Sequence, residues 1–259
     1  LSTAIAAAAY RQGSLSPSGA AGAIVVGTST FLGGGMRWSA VLLAFFTSSS
    51  ALSRLERRSS TGQEIAAFTQ RGARRDIVQA LANGGVASLA ALGQALRPHP
   101  TLEGAFAGAF AAAAADTWAT ESGALSPTPP RDILTGALVP PGTSGGVTAT
   151  GLAGAALGSL AVSTVAALTT RHHAVSLLAG TALAGIAGSL VDSLAGATIQ
   201  ASYRCPTCQK ATERRVHSCG TTTNLVRGQA WCTNDVVNVL CTGSGAGIGA
   251  LFAWGLEEV

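Results

Sequence analysis

The feature that most constrains this chain is the recurrence of long apolar stretches with almost no charge inside them. A helix that crosses a bilayer needs about 20 mostly apolar residues. Stretches of this kind recur at roughly 16–34, 38–53, 77–96, 102–121, 146–169, 174–198 and 234–255. A soluble fold of 259 residues could bury a core, but it would still need a charged skin, and 11% charged residues do not supply one when soluble domains carry about 25%. Mean hydropathy is +0.39. The expected fold is all-α, a polytopic transmembrane helical bundle of about seven spans. It is read as a single membrane domain over 1–259 with a cytoplasmic Cys-containing loop at about 200–232. The 33 glycines do not repeat as G-X-Y, which excludes collagen. They lie inside the apolar stretches, where small residues let membrane helices approach closely. Residues 1–9 are too short to span and read either as the end of a trimmed helix or as a leftover targeting segment.

The basic residues orient the spans. A pI near 9.1 can signal nucleic-acid binding, but here the basic residues sit in loops between apolar segments, which is a membrane-orientation pattern. With seven spans, Arg11, Arg54, Arg57, Arg58, Arg71, Arg74, Arg75, Arg131, Arg204, Lys210, Arg214, Arg215 and Arg227 fall on one side. Arg37, Arg97 and Arg171 fall on the other, a split of 13 against 3. The positive-inside rule then makes the N-terminus and the loops 54–76, 122–145 and 199–233 cytoplasmic, or stromal in an organelle. Trp38, Trp118 and Trp231 lie near span ends and are expected at the membrane interface.

Ionisable groups inside or bordering a membrane are costly and point to function. Asp116 and Glu121 lie toward the end of the fourth span, Asp192 in the sixth, and Asn234, Asp235 and Asn238 at the start of the seventh. Arg74, Arg75, Gln79 and Asn83 mark the start of the third. All fall near the cytoplasmic ends of their helices, so one polar site open to that face is expected. Carboxylates with Asn side chains are hard oxygen ligands suited to Mg²⁺, placed here on Asp116, Asp192 and Asp235. Gly142, Thr143, Ser144, Gly145 and Gly146, at a helix start, offer backbone N–H groups to an anion. Arg74 and Arg75 can clamp phosphate in the forked geometry of guanidinium. A nucleoside triphosphate with Mg²⁺, approached from the cytoplasm, fits this set. There is no G-x-x-x-x-G-K-[ST], so this is not a P-loop protein. No Ser-His-Asp arrangement is visible either, since all four His lie in loops.

These residues also carry a resemblance. RRDxxQxxANGG (74–85), ADTWATESG (115–123), VPPGTSGGVT (139–148), GSLVDSLAGATIQ (188–200) and NDVVN (234–238), in that order, resemble the integral membrane family that includes transmembrane protein 19 and the plant chloroplast phytyl-phosphate kinase. The resemblance runs from about Leu15 to Ala250. It implies a polytopic helical fold and, for its best-characterised members, conversion of a prenyl monophosphate to the diphosphate. More distantly, the order of Asp, Pro-Gly-Thr loop and Gly-x-x-x-Asp-Ser is similar to CTP-using membrane enzymes, namely phosphatidate cytidylyltransferases and dolichol or phytol kinases. In those, acidic residues hold Mg²⁺ and the nucleotide phosphates. They carry a basic residue shortly before the glycine loop. This chain has Gly136-Ala137 there, with Arg131 as the substitute.

The expected activity is therefore an isoprenoid (phytyl-type) phosphate kinase that uses CTP or ATP. The alternatives are a cytidylyltransferase acting on a lipid phosphate, or an ion or solute transporter. Asn83, Glu121, Asn234 and Asn238 support the nucleotide in this reading. Separately, Cys205, Cys208, His217 and Cys219 form a CxxC followed by HxC, with Cys232 beyond. Thiolate and imidazole suit tetrahedral Zn²⁺. Structural zinc, unligated thiols and a disulfide are the three readings. Cys241 falls within a span and reads as a small apolar filler.

Overall fold

The computed structural model describes residues 2–59, 62, 74–170 and 173–255. Arg71, Arg171 and His172 lie outside these. Helix starts are set by side chains that accept from the first free backbone N–H groups. Ser16, followed by Pro17, caps α2 (Pro17–Glu56) by accepting from Gly19 N. Asp76 caps α3 (Ile77–Leu96) through Gln79 N, and His99 caps α4 (Pro100–Ala124) through Thr101 N. Thr148 caps α5 (Ala149–Thr169) through Gly151 N. A short α1 (Ser2–Arg11) precedes these, and α6 (Ala174–Thr198) and α7 (Asn234–Trp254) follow them.

α2 is not a straight rod. Gly35 sits at φ 58°, ψ −144°, backbone that L-residues with a Cβ rarely adopt. A straight helix of 40 residues would run about 60 Å. Yet Arg54, near its end, donates to Gln12 Oε1 and Ser14 Oγ, just before its start, at 2.9 Å each. The chain therefore doubles back at Gly35 into a helical hairpin. The first limb follows α3, with Val26 against Gly84 and Gly33 against Ala91. The second follows α4, with Trp38 stacked on Phe106 at 4.2 Å and Phe45 5.4 Å from Phe110.

Four helices, α2, α5, α6 and α7, are long and apolar enough to cross a membrane by length and composition. α3, with Gln79, Asn83 and Gln94, and α4, with Glu103, Asp116 and Glu121, are not among them. The seven spans expected from the sequence are therefore not established on this measure. What stands is a mostly helical chain with four apolar candidate spans among the described residues, one of which folds back on itself.

α4 is the axis of the bundle and packs against α2, α3, α5, α6 and α7. Its residues Phe106–Ala115 are almost wholly buried. Gly104 and Gly108 meet Gly249 and Gly245 of α7 so closely that the two backbones touch. A Cβ on Gly108 would lie 2.3 Å from Gly245 O, and one on Gly249 2.2 Å from Gly104 O. Outside, Leu89, Leu96, Leu168 and Val175 are between 71% and 88% exposed. Small residues inside and large apolar ones outside invert the soluble pattern and suit a lipid surround. Trp38 is buried on Phe106, and Trp118 packs on Gly158 of α5. Trp231 is exposed.

Two small sheets cover the end of the bundle where α4 and α6 finish and α5 and α7 begin. β1 (Arg131–Asp132) pairs antiparallel with β2 (Gly146–Val147). β3 (Ser202–Arg204) lies between β4 (Ala211–Thr212) and β5 (Asn224–Arg227), antiparallel to both.

Candidate functional site

The carboxylates can be placed from a contact deeper in the bundle. At Gly188 of α6, a Cβ would stand 2.6 Å from Ala112 Cβ of α4 and 2.7 Å from Cys241 O of α7, so the three helices converge there. Four residues on in α4 and α6, about 6 Å along each axis, come Asp116 and Asp192. One turn back in α7, toward the same end, comes Asn238. The three polar side chains therefore share one level, and both carboxylates lie within electrostatic reach of Cys241. Asp116 is buried at 7% exposure, Asn238 is buried, and Asp192 is half-buried. Asn238 Oδ1 is buried and accepts no hydrogen bond among the described residues. Asp235 lies one turn further out, in the first turn of α7. Asn234 borders a small polar recess, about 280 Å³ counting the space open to its surroundings, shared with Gln200, Tyr203, Glu213 and Arg215.

Glu121 is not part of this group. Five residues beyond Asp116, it is rotated by about 140° around α4 and faces the second limb of α2. There its Oε1 accepts from Ser53 Oγ at 2.6 Å. Ser49, Ser53 and Glu56 form a buried polar stripe on that limb, which the sequence analysis did not single out.

The glycine loop also differs from expectation. α5 begins at Ala149, and its first N–H groups are served by Thr148, so Gly142–Gly146 precedes the helix rather than opening it. Thr143 N donates to Pro140 O and Gly146 N to Thr143 O. Thr143 Oγ1 also donates to Pro140 O, and Ser144 Oγ donates to Glu213 Oε1 at 2.9 Å. Both hydroxyls are thus engaged within the protein. Gly145, at φ +85°, presses on the end of α6: a Cβ there would stand 2.6 Å from Ala197 N. Arg131 is turned to its own hairpin, donating to Gly136 O at 2.8 Å. Asp132 Oδ1 accepts from Leu134 N, Thr135 N and Thr135 Oγ1. The Thr135 N–H foremost, with further bonds and the Arg227 charge, holds its carboxyl below the ordinary 3.8.

Arg75, Gln79 and Asn83, at i, i+4 and i+8, line one wall of a largely apolar cleft. Ile5, Leu15, Val26, Leu42, Phe46 and Phe110 supply other walls, and the volume is about 850 Å³ counting the space open to its surroundings. Arg74 is exposed beside the mouth, and Arg75 is half-buried, its backbone paired with Ser14 and Ser16.

In the Cys loop, Cys205, Cys208, His217 and Cys219 come together as the spacing suggested. Their ligand atoms all lie within 4.8 Å of one another, so the cluster could hold a metal ion. Cys205 Sγ and Cys219 Sγ are 3.7 Å apart, near the roughly 3.8 Å edge that two thiolates about 2.3 Å from tetrahedral zinc would make. Thr221 and His217 beside it lower the Cys219 thiol to about 5, while the hydrogen bond with Cys219 raises Cys208 to about 11. Burial raises Cys232, which packs with Ala195 and Val237.

Comparison with known proteins agrees with this architecture. The family model described as integral membrane protein DUF92 matches residues 1–246. The chain is 32% identical over 266 residues to Protein PGR of Arabidopsis thaliana, covering 92% of this chain and 88% of that one. It is 31% identical over 188 residues to an uncharacterized membrane protein of Methanocaldococcus jannaschii, covering 72% and 75%. No solved structure matches. A match over nearly the whole chain, together with the motifs at 74–85, 115–123, 139–148, 188–200 and 234–238, settles the family: this chain belongs to the integral membrane protein DUF92 family.

Proposed function

We propose that this protein is a Mg²⁺-dependent phosphotransferase that converts a phytyl-type prenyl monophosphate to the diphosphate, with CTP or ATP as donor. The observation that carries the reading is that the Asp116–Asp192–Asn238 level and the Arg75 head of an apolar cleft lie toward the same end of the bundle. The cleft has the form an amphiphile needs. Its polar wall covers about two turns of α3, and its apolar walls reach down to Phe110, six residues before Asp116 on the same helix. Arg75, with Arg74 at the rim, holds the lipid phosphate, and the prenyl chain lies along the apolar walls. Asp116, Asp192 and the Asn238 oxygen, which accepts no hydrogen bond from the described residues, form an oxygen donor set of the kind Mg²⁺ takes. Asp235 and Asn234 stand toward the mouth. Mg²⁺, when bound, neutralises the triphosphate. The backbone around Gly142–Gly146 faces the donor phosphates. Glu121 supports α2 from behind. The lipid phosphate is already ionised at neutral pH, so no protein nucleophile is needed, and the residues act by positioning and charge stabilisation. The lipid phosphate oxygen attacks the γ-phosphorus, the bond to the β-phosphate oxygen breaks, and the nucleoside diphosphate leaves.

In the same reading the chain is a single membrane domain with seven crossings, α2 contributing two. The N-terminus and the polar loops face the cytoplasm or stroma. The Cys–His cluster is a structural zinc site. The test is turnover by purified protein given prenyl monophosphate, Mg²⁺ and CTP or ATP. Nucleoside diphosphate with prenyl diphosphate is the expected product pair. Pyrophosphate with a CMP-lipid would mean cytidylyl transfer, and no nucleotide consumption with any prenyl phosphate would favour transport.

A further inference from the structure

We propose that metal binding by Cys205, Cys208, His217 and Cys219 fixes the position of the Gly142–Gly146 loop. The Cys loop thereby acts as a metal-dependent clamp on the phosphate end of the site. The significance given to that loop rests on the transferase reading; the clamp itself does not.

The four residues sit in pairs on two chain reversals. In the first, Cys205 N donates to Lys210 O and Gln209 N to Cys205 O, which turns the chain around Cys205 and Cys208. In the second, Val216 bridges Thr222 and His217 N donates to Thr221 O, which turns it around His217 and Cys219. Cys208 N–H points to Cys205 Sγ at 3.4 Å, a contact that favours a thiolate. Besides the contact of Thr207 Oγ1 with Thr221 Oγ1 at 3.3 Å, little among the described residues ties the two tips together. The strands are two to four residues long, and Val216, Leu225 and Val226 are exposed. A unit this small has no room for a core of its own and needs a cross-link. In the bound state all three sulfurs are thiolates, any remaining thiol protons being released on binding; with neutral imidazole they give a tetrahedral site.

Two residues that tie this unit to the Gly142–Gly146 loop lie just outside the reversals. Glu213 follows β4, and its Oε1 accepts from Ser144 Oγ at 2.9 Å and from Gln200 Nε2 at 2.8 Å. Arg227 ends β5, and its Nη2 donates to Ser144 O at 3.1 Å and to Gly196 O at 2.9 Å. Ser144 is thus held on its side chain by one root of the metal unit and on its backbone by the other. Its neighbour Gly145 is pressed onto Ala197. With the tips linked, both roots are fixed and the loop is seated. With the tips apart, both anchors on Ser144 are released together.

The test uses the full-length protein in detergent or nanodiscs. Metal analysis should give about one zinc per chain. Cobalt exchanged into the site should show the thiolate charge-transfer and tetrahedral ligand-field bands. Removing the metal with a chelator should raise amide exchange of residues 140–146 by about tenfold, and zinc should restore it. His217→Cys, which keeps four ligands, should retain metal and protection, and His217→Ala should lose both. Glu213→Ala, which removes the acceptor of the Ser144 hydroxyl, should keep the metal yet loosen 140–146, which separates the clamp from the metal site. Helix content by circular dichroism serves as the check that each variant is folded. Metal-free protein with a Cys205–Cys219 disulfide would overturn the proposal. So would a zinc protein whose 140–146 exchange is indifferent to chelation. Metal-dependent protection in a protein that turns over no nucleotide would uphold the clamp and sink the transferase reading alone.

Discussion

At the scale of single residues, Asp116 and Glu121 show how five positions divide two roles. Asp116 and Asp192 share a level with Asn238, whereas Glu121 is bonded to Ser53 on the other side of α4. Asp116→Asn and Asp192→Asn should each lower turnover at least about a hundredfold, near 3 kcal/mol in barrier, with the protein still folded in the membrane. Glu121→Gln should keep the Ser53 contact and leave most of the activity, measured in the same assay. Near wild-type turnover by both Asp variants would place the donor set elsewhere. Asp132 tests something different. Its folded carboxyl is held below 3.8 by the Thr135 N–H and its neighbours, so the ionised form favours the folded hairpin. That contribution is fully present above the ordinary value and is lost as pH falls through the lowered one. Amide protection in 131–137, taken relative to the intrinsic exchange rate at each pH, should therefore fall as pH drops below about 4. Asp132→Asn keeps an acceptor oxygen and should remove the pH dependence while leaving the hairpin at pH 7. Much of this was legible. Asp116 and Asp192 stand out as acids in apolar helices, and the angular separation of Glu121 follows from 100° per residue. Glu213 and Arg227 did not stand out, because each meets Ser144 across 69 and 83 residues of chain and nothing local marks them.

Among the elements, the α4–α7 contact depends on missing side chains. Gly108 and Gly245 leave no room for a Cβ, so Gly108→Val should destabilise the bundle by about 1–3 kcal/mol through overpacking. Leu89→Ala, on the exposed face of α3, should stay within about 0.5 kcal/mol. Denaturant titration in a defined detergent would compare them, and equal effects would mean that α4 and α7 are not held this way. The helices themselves were readable to within a few residues, because long apolar runs are local signals. The glycine loop was not. Placing it at the start of a helix assumed that α5 opens at Gly146, whereas the pairing of β1 with β2 delays the helix until Thr148 can cap it. The spacing of Cys205, Cys208, His217 and Cys219 did forecast their assembly, because two short reversals leave few other arrangements.

For the whole molecule, the proposed topology has a direct test. Lys210 is the single lysine of the chain and is exposed. An amine reagent that cannot cross membranes should label it only from the cytoplasmic or stromal face, as read by peptide mapping. A lysine introduced by Arg97→Lys should be labelled only from the opposite face. Labelling of both from one side would show that the number of crossings between them is even, against the reading here. The reversal at Gly35 then matters beyond its own contacts. A chain threading a bilayer carries a parity, and each turn in the membrane flips it. Gly35 makes the first flip with one residue, which lets Arg54 return to Gln12 and Ser14. Any change that straightened α2 would leave every later helix with intact local sequence and the wrong handedness relative to the membrane. The basic residues at 54, 57 and 58 would then be carried to the face opposite Arg11. A one-residue lesion at the far side of the bundle would thus read out as an inverted or unassembled protein, with no residue of the active end altered.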